Sequence, residues 1–140
     1  LKEVDIILAE DTRVTRKILN HFEIKEKKVL TLNEHTKDSE FEKYYTMLEE
    51  GKDIAFVSDA GTPGVSDPGG RFVEFICDYN KKREEYNIDP IKIIPIPGAS
   101  SMTALASISG VHTPEGILFL GFPPHKKGRQ TCTRTVPRKD

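Results

Sequence analysis

The sequence predicts an α/β protein whose mostly parallel sheet carries helices on its faces. Short apolar runs alternate at least four times with amphipathic stretches of helical period. This order is typical of strands joined by helical crossovers. Two glycine-rich loops directly follow the apolar runs Ile54–Val57 and Ile91–Ile96, and ligands bind at that end of the strands in open parallel sheets.

The predicted strands are short runs dominated by aliphatic and aromatic residues. They are Val4–Ala9, Lys28–Leu32, Asp53–Val57, Ile91–Ile96 and Gly116–Phe122. A break in the pattern at Val111–Gly116, "VHTPEG", predicts a domain boundary there. We therefore expect an N-terminal α/β domain over residues 1–112 and the beginning of a second domain over residues 113–140.

Apolar residues at helical spacing predict four helices between these strands. The first contains Val14, Ile18, Leu19 and Phe22, with Asp11 or Thr12 as its N-cap. The others are Ser39–Glu50, ended by Gly51, a helix around Phe72–Tyr79, and the small-residue helix Ser100–Ser109. The polar stretch Asn80–Pro90 lacks a period, and this predicts an exposed loop.

Composition narrows the class of protein. A net charge of −1 over 140 residues gives no overall basic field for nucleic acid, although the last sixteen residues are strongly basic. The two cysteines are too few for a disulfide framework or a metal knuckle and suit a reducing compartment. No apolar run approaches the roughly 20 residues of a membrane span, and no secretion signal is recognised. We expect a cytoplasmic protein without a membrane partner or a bound metal.

The loops "SDAGTPGVSDPGG" and "PIPGASS" are the strongest candidates for a binding site. Glycine lets a ligand touch the backbone, because no Cβ intervenes. Ser100 or Ser101 can cap the helix that follows the second loop, or leave that position to a ligand. Neither loop is a P-loop, and the G-x-G-x-x-G dinucleotide pattern is absent.

Charged residues follow the first predicted strand in "AEDTR". Glu10, Asp11 and Arg13 either orient a ligand or form a helix cap with an exposed arginine, and the sequence leaves both interpretations open. His35, after the second strand, is expected to be structural or simply exposed.

Five segments together resemble one known family: "ILAEDTRVTRKIL", "NEH", "IAFVSDAGTPGVSDPG", "IPIPGASSMTALASISG" and "FLGFPPHKKGR". The family is the tetrapyrrole methylase superfamily, in the branch that methylates ribosomal RNA. The resemblance runs from Leu1 to about Arg129. It implies S-adenosylmethionine as the methyl donor, bound between two α/β domains. It also implies 2′-O-methylation of a cytidine ribose in ribosomal RNA of the small (30S) subunit, by an enzyme expected to be a homodimer.

Carried over position by position, the resemblance implies two groups of cofactor-binding residues: Ala60, Gly61, Thr62 and Val65 in the first loop, and Ser100 and Ser101 in the second. Asp59 and Asp67 match the motif without an implied role. The catalytic residue stays open among three carboxylates: Glu10, Asp11 and Asp59. Candidate RNA contacts are Arg13, Lys126, Lys127 and Arg129, whose charges suit phosphate.

Departures from the family leave alternatives open. The strand and Pro-Ile-Gly-Asn loop with which family members usually begin are not found, and most of a second domain is not found. The segment after Arg129, "QTCTRTVPRKD", does not resemble the family and is expected to be foreign or frameshifted. The alternatives are a precorrin or diphthine-type methyltransferase of the same superfamily, or an inactive fragment of the RNA enzyme.

Overall fold

The computed structural model describes residues 1–110 and 117–122. Within them the chain forms a three-stranded sheet and four α-helices. In order these are β1 (Ile6–Ala9), α1 (Thr12–His21), β2 (Lys28–Thr31), α2 (Asp38–Glu49), β3 (Ile54–Val57), α3 (Gly69–Glu85) and α4 (Ser101–Ile108). The predicted α/β class with a parallel sheet is confirmed.

The sheet has the order β2-β1-β3, and both pairs are parallel. Ile7 of β1 is in register with Val29 on one side and Ala55 on the other. All four residues of β1 are buried, whereas those of β3 are only partly buried. A central parallel strand is covered on both faces, which explains its unbroken apolar sequence.

The core lies where α2 and α3 pack on one face of the sheet. Phe41, Tyr44 and Tyr45 of α2 meet Phe72 and Ile76 of α3, together with Ile6, Leu8 and Leu32 from the sheet side. The ring centroids of Phe41 and Phe72 are 5.3 Å apart, and those of Tyr45 and Tyr79 are 4.5 Å apart. Aromatic residues at helical spacing therefore supply half of the buried residues of this core.

Gly69, the first residue of α3, allows that helix to approach the sheet closely. A Cβ atom placed there would lie 2.1 Å from Cε1 of Phe56 in β3. Such a distance is far inside van der Waals contact, so only glycine fits while Phe56 keeps its place.

The first six predicted elements are confirmed to within a few residues, as are Asp11 as N-cap of α1 and Ser100 as N-cap of α4. Gly51 follows the end of α2 with φ +81°, as expected of a glycine stop. The loop predicted over Asn80–Pro90 is wrong in its first half, because α3 continues to Glu85. That extension carries charged groups that pair along the helix, including Lys81 with Asp78 at 2.8 Å.

The strand predicted over Ile91–Ile96 is wrong. These residues form no ladder with the sheet, and from Lys92 to Ile96 they are exposed. Pro95 and Pro97 lack the N–H that a ladder needs, and no described strand lies beside this segment. The part of Gly116–Phe122 that is described, Ile117–Phe122, is likewise not a strand. The predicted boundary at Val111–Gly116 lies outside the described residues, so the division into two domains stays a prediction.

Candidate functional site

Three loops meet at the carboxyl edge of the sheet, because the three strands are parallel. They follow β1 at Glu10, β2 at Leu32 and β3 at Ser58. A cleft of ≈ 530 Å³ opens between them. It is lined by Glu10, Asn33, Glu34, His35, Ser66, Asp67, Pro68 and Arg71. This is the position at which open α/β sheets bind ligands.

Glu10 joins the loop after β1 to the loop after β3. Its backbone N–H donates to the carbonyl of Val57 at 3.2 Å. Its carboxylate oxygen Oε2 accepts a hydrogen bond from the backbone N–H of Asp59, also at 3.2 Å. Two of the three candidate catalytic residues, Glu10 and Asp59, are therefore neighbours, and the contact uses the backbone of Asp59.

Asp11 and Arg13 form a closed pair at the start of α1. Asp11 Oδ1 accepts from the backbone N–H of Arg13 at 2.8 Å, and Oδ2 accepts from Nη2 of the same residue at 2.6 Å. Hydrogen bonds from the Arg13 side chain, followed by the one from its backbone, lower the pKa of Asp11 from 3.8 to about 2. Asp11 in turn raises the pKa of Arg13, and the more distant charge of Asp59 adds to this. The capping interpretation of this pair is confirmed.

The long loop after β3 is organised by Asp67. Its carboxylate accepts from the backbone N–H of Gly64 at 2.8 Å and from that of Gly69 at 2.7 Å. Gly64 has φ +87° and Ser66 has φ +58°, so the turn uses left-handed backbone at both positions. Asp67 is therefore a structural residue of the loop, a role that the motif alone did not assign.

The residues implied to bind a cofactor in this loop are accessible. Ala60, Gly61 and Val65 are exposed and Thr62 is partly buried. Gly61 has φ +72°, and a Cβ placed on it would meet nothing within 4 Å. Within the described residues, no hydrogen-bond partner is found for the backbone N–H groups of Ala60 and Gly61. The loop thus presents free backbone donors beside open space.

The lining of the cleft includes an arginine that sequence reasoning missed. Arg71, in the first turn of α3, donates through Nη2 to Asp38 Oδ1 at 2.9 Å. Its guanidinium also lies over the Phe41 ring, 5.3 Å from the centroid. Its position directly after the conspicuous "DPGG" turn is the only signal for it in the sequence. His35 is exposed and is 3.4 Å from Glu34, as expected of a loop histidine.

The second glycine-rich loop is not joined to the first by the described contacts. Ser100 Oγ accepts from the backbone N–H of Thr103 at 3.4 Å and so caps α4, which has no buried residue. Among the described residues, no hydrogen bond links Ser100 or Ser101 to Ser58–Gly70. The segment Ile117–Phe122 approaches the first glycine-rich loop, since a Cβ on Gly121 would lie 3.8 Å from Ser66 Oγ. Lys126, Lys127 and Arg129 lie outside the described residues.

Among the described residues, no group of three or more His, Cys, Asp or Glu side chains is arranged to hold a metal ion. No helix in this part of the chain combines the length and apolar character needed to cross a bilayer.

Comparison with known families gives a match over nearly the whole chain. The family described as "Tetrapyrrole (Corrin/Porphyrin) Methylases" matches residues 1–132. The chain belongs to the tetrapyrrole methylase family. This agrees with the parallel sheet and with the glycine-rich loop at its carboxyl edge, and it confirms the family resemblance of the sequence motifs.

Several curated relatives of the chain are named "Ribosomal RNA small subunit methyltransferase I". The protein of Halalkalibacterium halodurans is 43% identical over 99% of this chain and 45% of its own length. That of Borrelia garinii is 41% identical over 90% of this chain and 51% of its own length. That of Thermotoga maritima is 36% identical over 100% of this chain and 58% of its own length. The chain spans about half the length of the curated relatives it matches.

Proposed function

We propose that this protein is an S-adenosylmethionine-dependent methyltransferase that methylates the ribose 2′-OH of a cytidine in small-subunit ribosomal RNA. One observation carries the proposal. The backbone N–H groups of Ala60 and Gly61 have no partner among the described residues and Gly61 faces open space, at the same sheet edge as Glu10 and Asp59. The names of the relatives support ribosomal RNA of the small subunit as the substrate.

The first loop suits the chemistry of the cofactor. S-adenosylmethionine supplies an electrophilic methyl group on a sulfonium, and its base, ribose and carboxylate all accept hydrogen bonds. The backbone N–H groups of Ala60 and Gly61 can donate to such acceptors, and the missing Cβ of Gly61 leaves room for close approach. Thr62 adds a hydroxyl and Val65 an exposed apolar surface. Ser100 and Ser101 are the proposed cofactor residues of the second loop.

Alignment of the acceptor with the methyl group is the main catalytic requirement, and it can supply about 7–11 kcal/mol. A base that takes the hydroxyl proton adds to this when its pKa is near the working pH. With a pKa of about 2, Asp11 is poorly suited to that task. Glu10 and Asp59 remain candidates, and Asp59 is the more exposed of the two.

Contacts to RNA are proposed for four basic residues. Asp11 occupies Nε and Nη2 of Arg13, so this side chain offers a phosphate its Nη1 edge. The side chain is 86% exposed, which suits such a contact. Lys126, Lys127 and Arg129 are proposed phosphate contacts from the sequence alone. We expect the full-length protein to be a homodimer in the cytoplasm, and the 140-residue chain by itself to be inactive.

The test uses the full-length protein, a methyl-labelled donor, and small ribosomal subunits isolated without this modification. Label should enter the RNA, and digestion should release 2′-O-methylcytidine. Gly61→Val should weaken donor binding, measured by calorimetry, by roughly tenfold or more, because the branched side chain fills the space beside the loop.

Gly51→Val is the matched control. Gly51 also has a positive φ, +81°, and also faces open space, but it lies at the far end of α2. Both variants pay about 1–2 kcal/mol of backbone strain, and only Gly61→Val should affect the donor. Equal donor affinities in the two variants would remove the first loop from the binding site. A precorrin and a diphthine precursor are offered in parallel reactions, and label entering either of them, with none in RNA, would assign one of the alternative acceptors.

A further inference from the structure

We propose that Glu10 is a positioning residue that holds the cofactor loop by its backbone. The loop meant is Ser58–Val65, and calling it the cofactor loop rests on the proposed function. The proposal removes Glu10 from the candidates for the catalytic base. It also explains why a glutamate directly follows β1, because from there its side chain reaches the backbone of Asp59 just after β3.

The contact geometry ties the ends of two neighbouring strands together. Glu10 follows β1 and Asp59 lies two residues after the end of β3, and these strands are adjacent in the sheet. The Glu10 backbone N–H donates to Val57, and its carboxylate accepts from the N–H of Asp59, each at 3.2 Å. One residue thus fixes the chain on both sides of Ser58. A hydrogen bond to a charged acceptor is stronger than one between neutral groups.

The remainder of the loop has few other anchors. Asp67 holds the far end through Gly64 and Gly69. Between the two ends, Val65 donates its N–H to the carbonyl of Thr62 at 3.1 Å, and Ser58 Oγ donates to the carbonyl of Ala60 at 3.2 Å. Both of these contacts are internal to the loop. Within the described residues, the carboxylate of Glu10 is therefore the only side chain from another element that forms a hydrogen bond with Asp59.

This fixation determines where the free donors point. Ala60 and Gly61 follow Asp59 directly, and their N–H groups have no partner in the described part of the chain. Without the Glu10 carboxylate, Asp59 and the two residues after it gain conformational freedom. A ligand that binds these donors would then have to order them, and the lost entropy weakens binding.

Three substitutions at Glu10 separate positioning from proton transfer. Glu10→Gln keeps an oxygen that accepts from Asp59 but cannot take a proton. Glu10→Asp keeps a carboxylate but is one methylene too short to reach. Glu10→Ala keeps neither. Glu74→Gln and Glu74→Ala are matched controls, since Glu74 is an exposed residue of α3 that does not line the cleft.

The first measurement follows exchange of the Asp59 amide hydrogen by NMR in the 140-residue chain. We expect protection in the wild type and in Glu10→Gln, and its loss in Glu10→Asp and Glu10→Ala. This measurement needs neither cofactor nor RNA. It therefore shows whether the hydrogen bond between Asp59 and Glu10 forms, even if the proposed function is wrong. An unprotected Asp59 amide in the wild type, or equal protection in all variants, would overturn the proposal.

The second measurement is steady-state kinetics of the full-length protein with its methyl donor. Glu10→Ala and Glu10→Asp should raise KM for the donor by roughly tenfold and leave kcat within about threefold, whereas Glu10→Gln should behave like the wild type. The Glu74 variants should change neither parameter. A loss of kcat in Glu10→Gln as large as in Glu10→Ala, at unchanged KM, would make Glu10 the base and refute the positioning role. If Glu10→Ala fails to fold, the contrast between Glu10→Gln and Glu10→Asp decides the question.

Discussion

Ile6–Ala9 and Ile93–Ile96 are two apolar segments of four residues that lie in different environments. The first is β1, whose side chains are at most 5% exposed. The second has no regular secondary structure and is unpaired, with Ile94 73% and Ile96 79% exposed. β1 has a parallel partner on each side, while the second segment contains Pro95 and has no described strand beside it. Apolar sequence alone therefore does not make a strand, because the backbone groups also need partners.

The two glycine-rich loops of the candidate site differ in the same way. The loops after β1 and β3 are held by strands that pair with each other, and Glu10 and Asp67 fix them further. The loop Pro95–Ser101 follows an unpaired segment and leads into α4, which buries none of its residues. A loop is positioned well only when the element before it is anchored. The first loop is consequently the better-defined half of the proposed cofactor site.

The largest expected effect compares one side chain from each segment. Leu8→Ala should lower the free energy of unfolding by about 2–5 kcal/mol, because it opens a cavity in a fully buried strand. Ile96→Ala should change it by less than about 0.5 kcal/mol. Urea unfolding of the 140-residue chain measures both. A loss in Ile96→Ala that approaches the loss in Leu8→Ala would show that the second segment is packed in solution.

A smaller effect is expected from adding a methyl group in each region. Gly69→Ala should cost about 1–3 kcal/mol, because its Cβ would collide with Phe56 and the ring or the helix must move. Gly98→Ala should be within about 0.5 kcal/mol of the wild type, because its Cβ would meet nothing within 4 Å. The same unfolding assay checks the pair. Indistinguishable stabilities would mean that α3 and β3 pack less closely than described.

The smallest effect concerns the caps of α1 and α4. The folded state holds the pKa of Asp11 at about 2, below its ordinary value of 3.8. Protonation therefore favours the unfolded chain, and the stability contributed by Asp11 is present above about pH 4 and is lost as the pH falls toward 2. Solvent screening keeps this contribution small, since Arg13 is largely exposed.

The difference in unfolding midpoint between the wild type and Asp11→Ser should therefore shrink as the pH is lowered from 5 to 2. The difference between the wild type and Ser100→Ala should not depend on pH, because a serine cap does not titrate. Thermal unfolding at four pH values in this range measures both differences. A constant difference for Asp11→Ser would show that the ion pair with Arg13 does not form in solution.

Several features follow from the sequence alone, because they depend on local spacing. The alternation of apolar runs with helical periods predicts β1 to α3 in the right order, and the cap at Asp11 follows from residue type. The family is also predicted, since "AEDTR" and "SDAGTPGVSDPG" retain their residues and order. Each of these signals lies within a few residues of the chain.

Other features were decided only in three dimensions. Whether Ile91–Ile96 forms a strand depends on a neighbouring strand, which no local pattern reports. The hydrogen bond from Asp59 to Glu10 joins residues 49 positions apart, and Arg71 reaches the cleft only because α3 begins at its rim. Such contacts arise from strand order and helix packing. The sequence by itself thus determined the elements from β1 to α3 and the family, while the tertiary structure decided which apolar segments pair as strands and which polar groups meet, because both depend on partners distant in the chain.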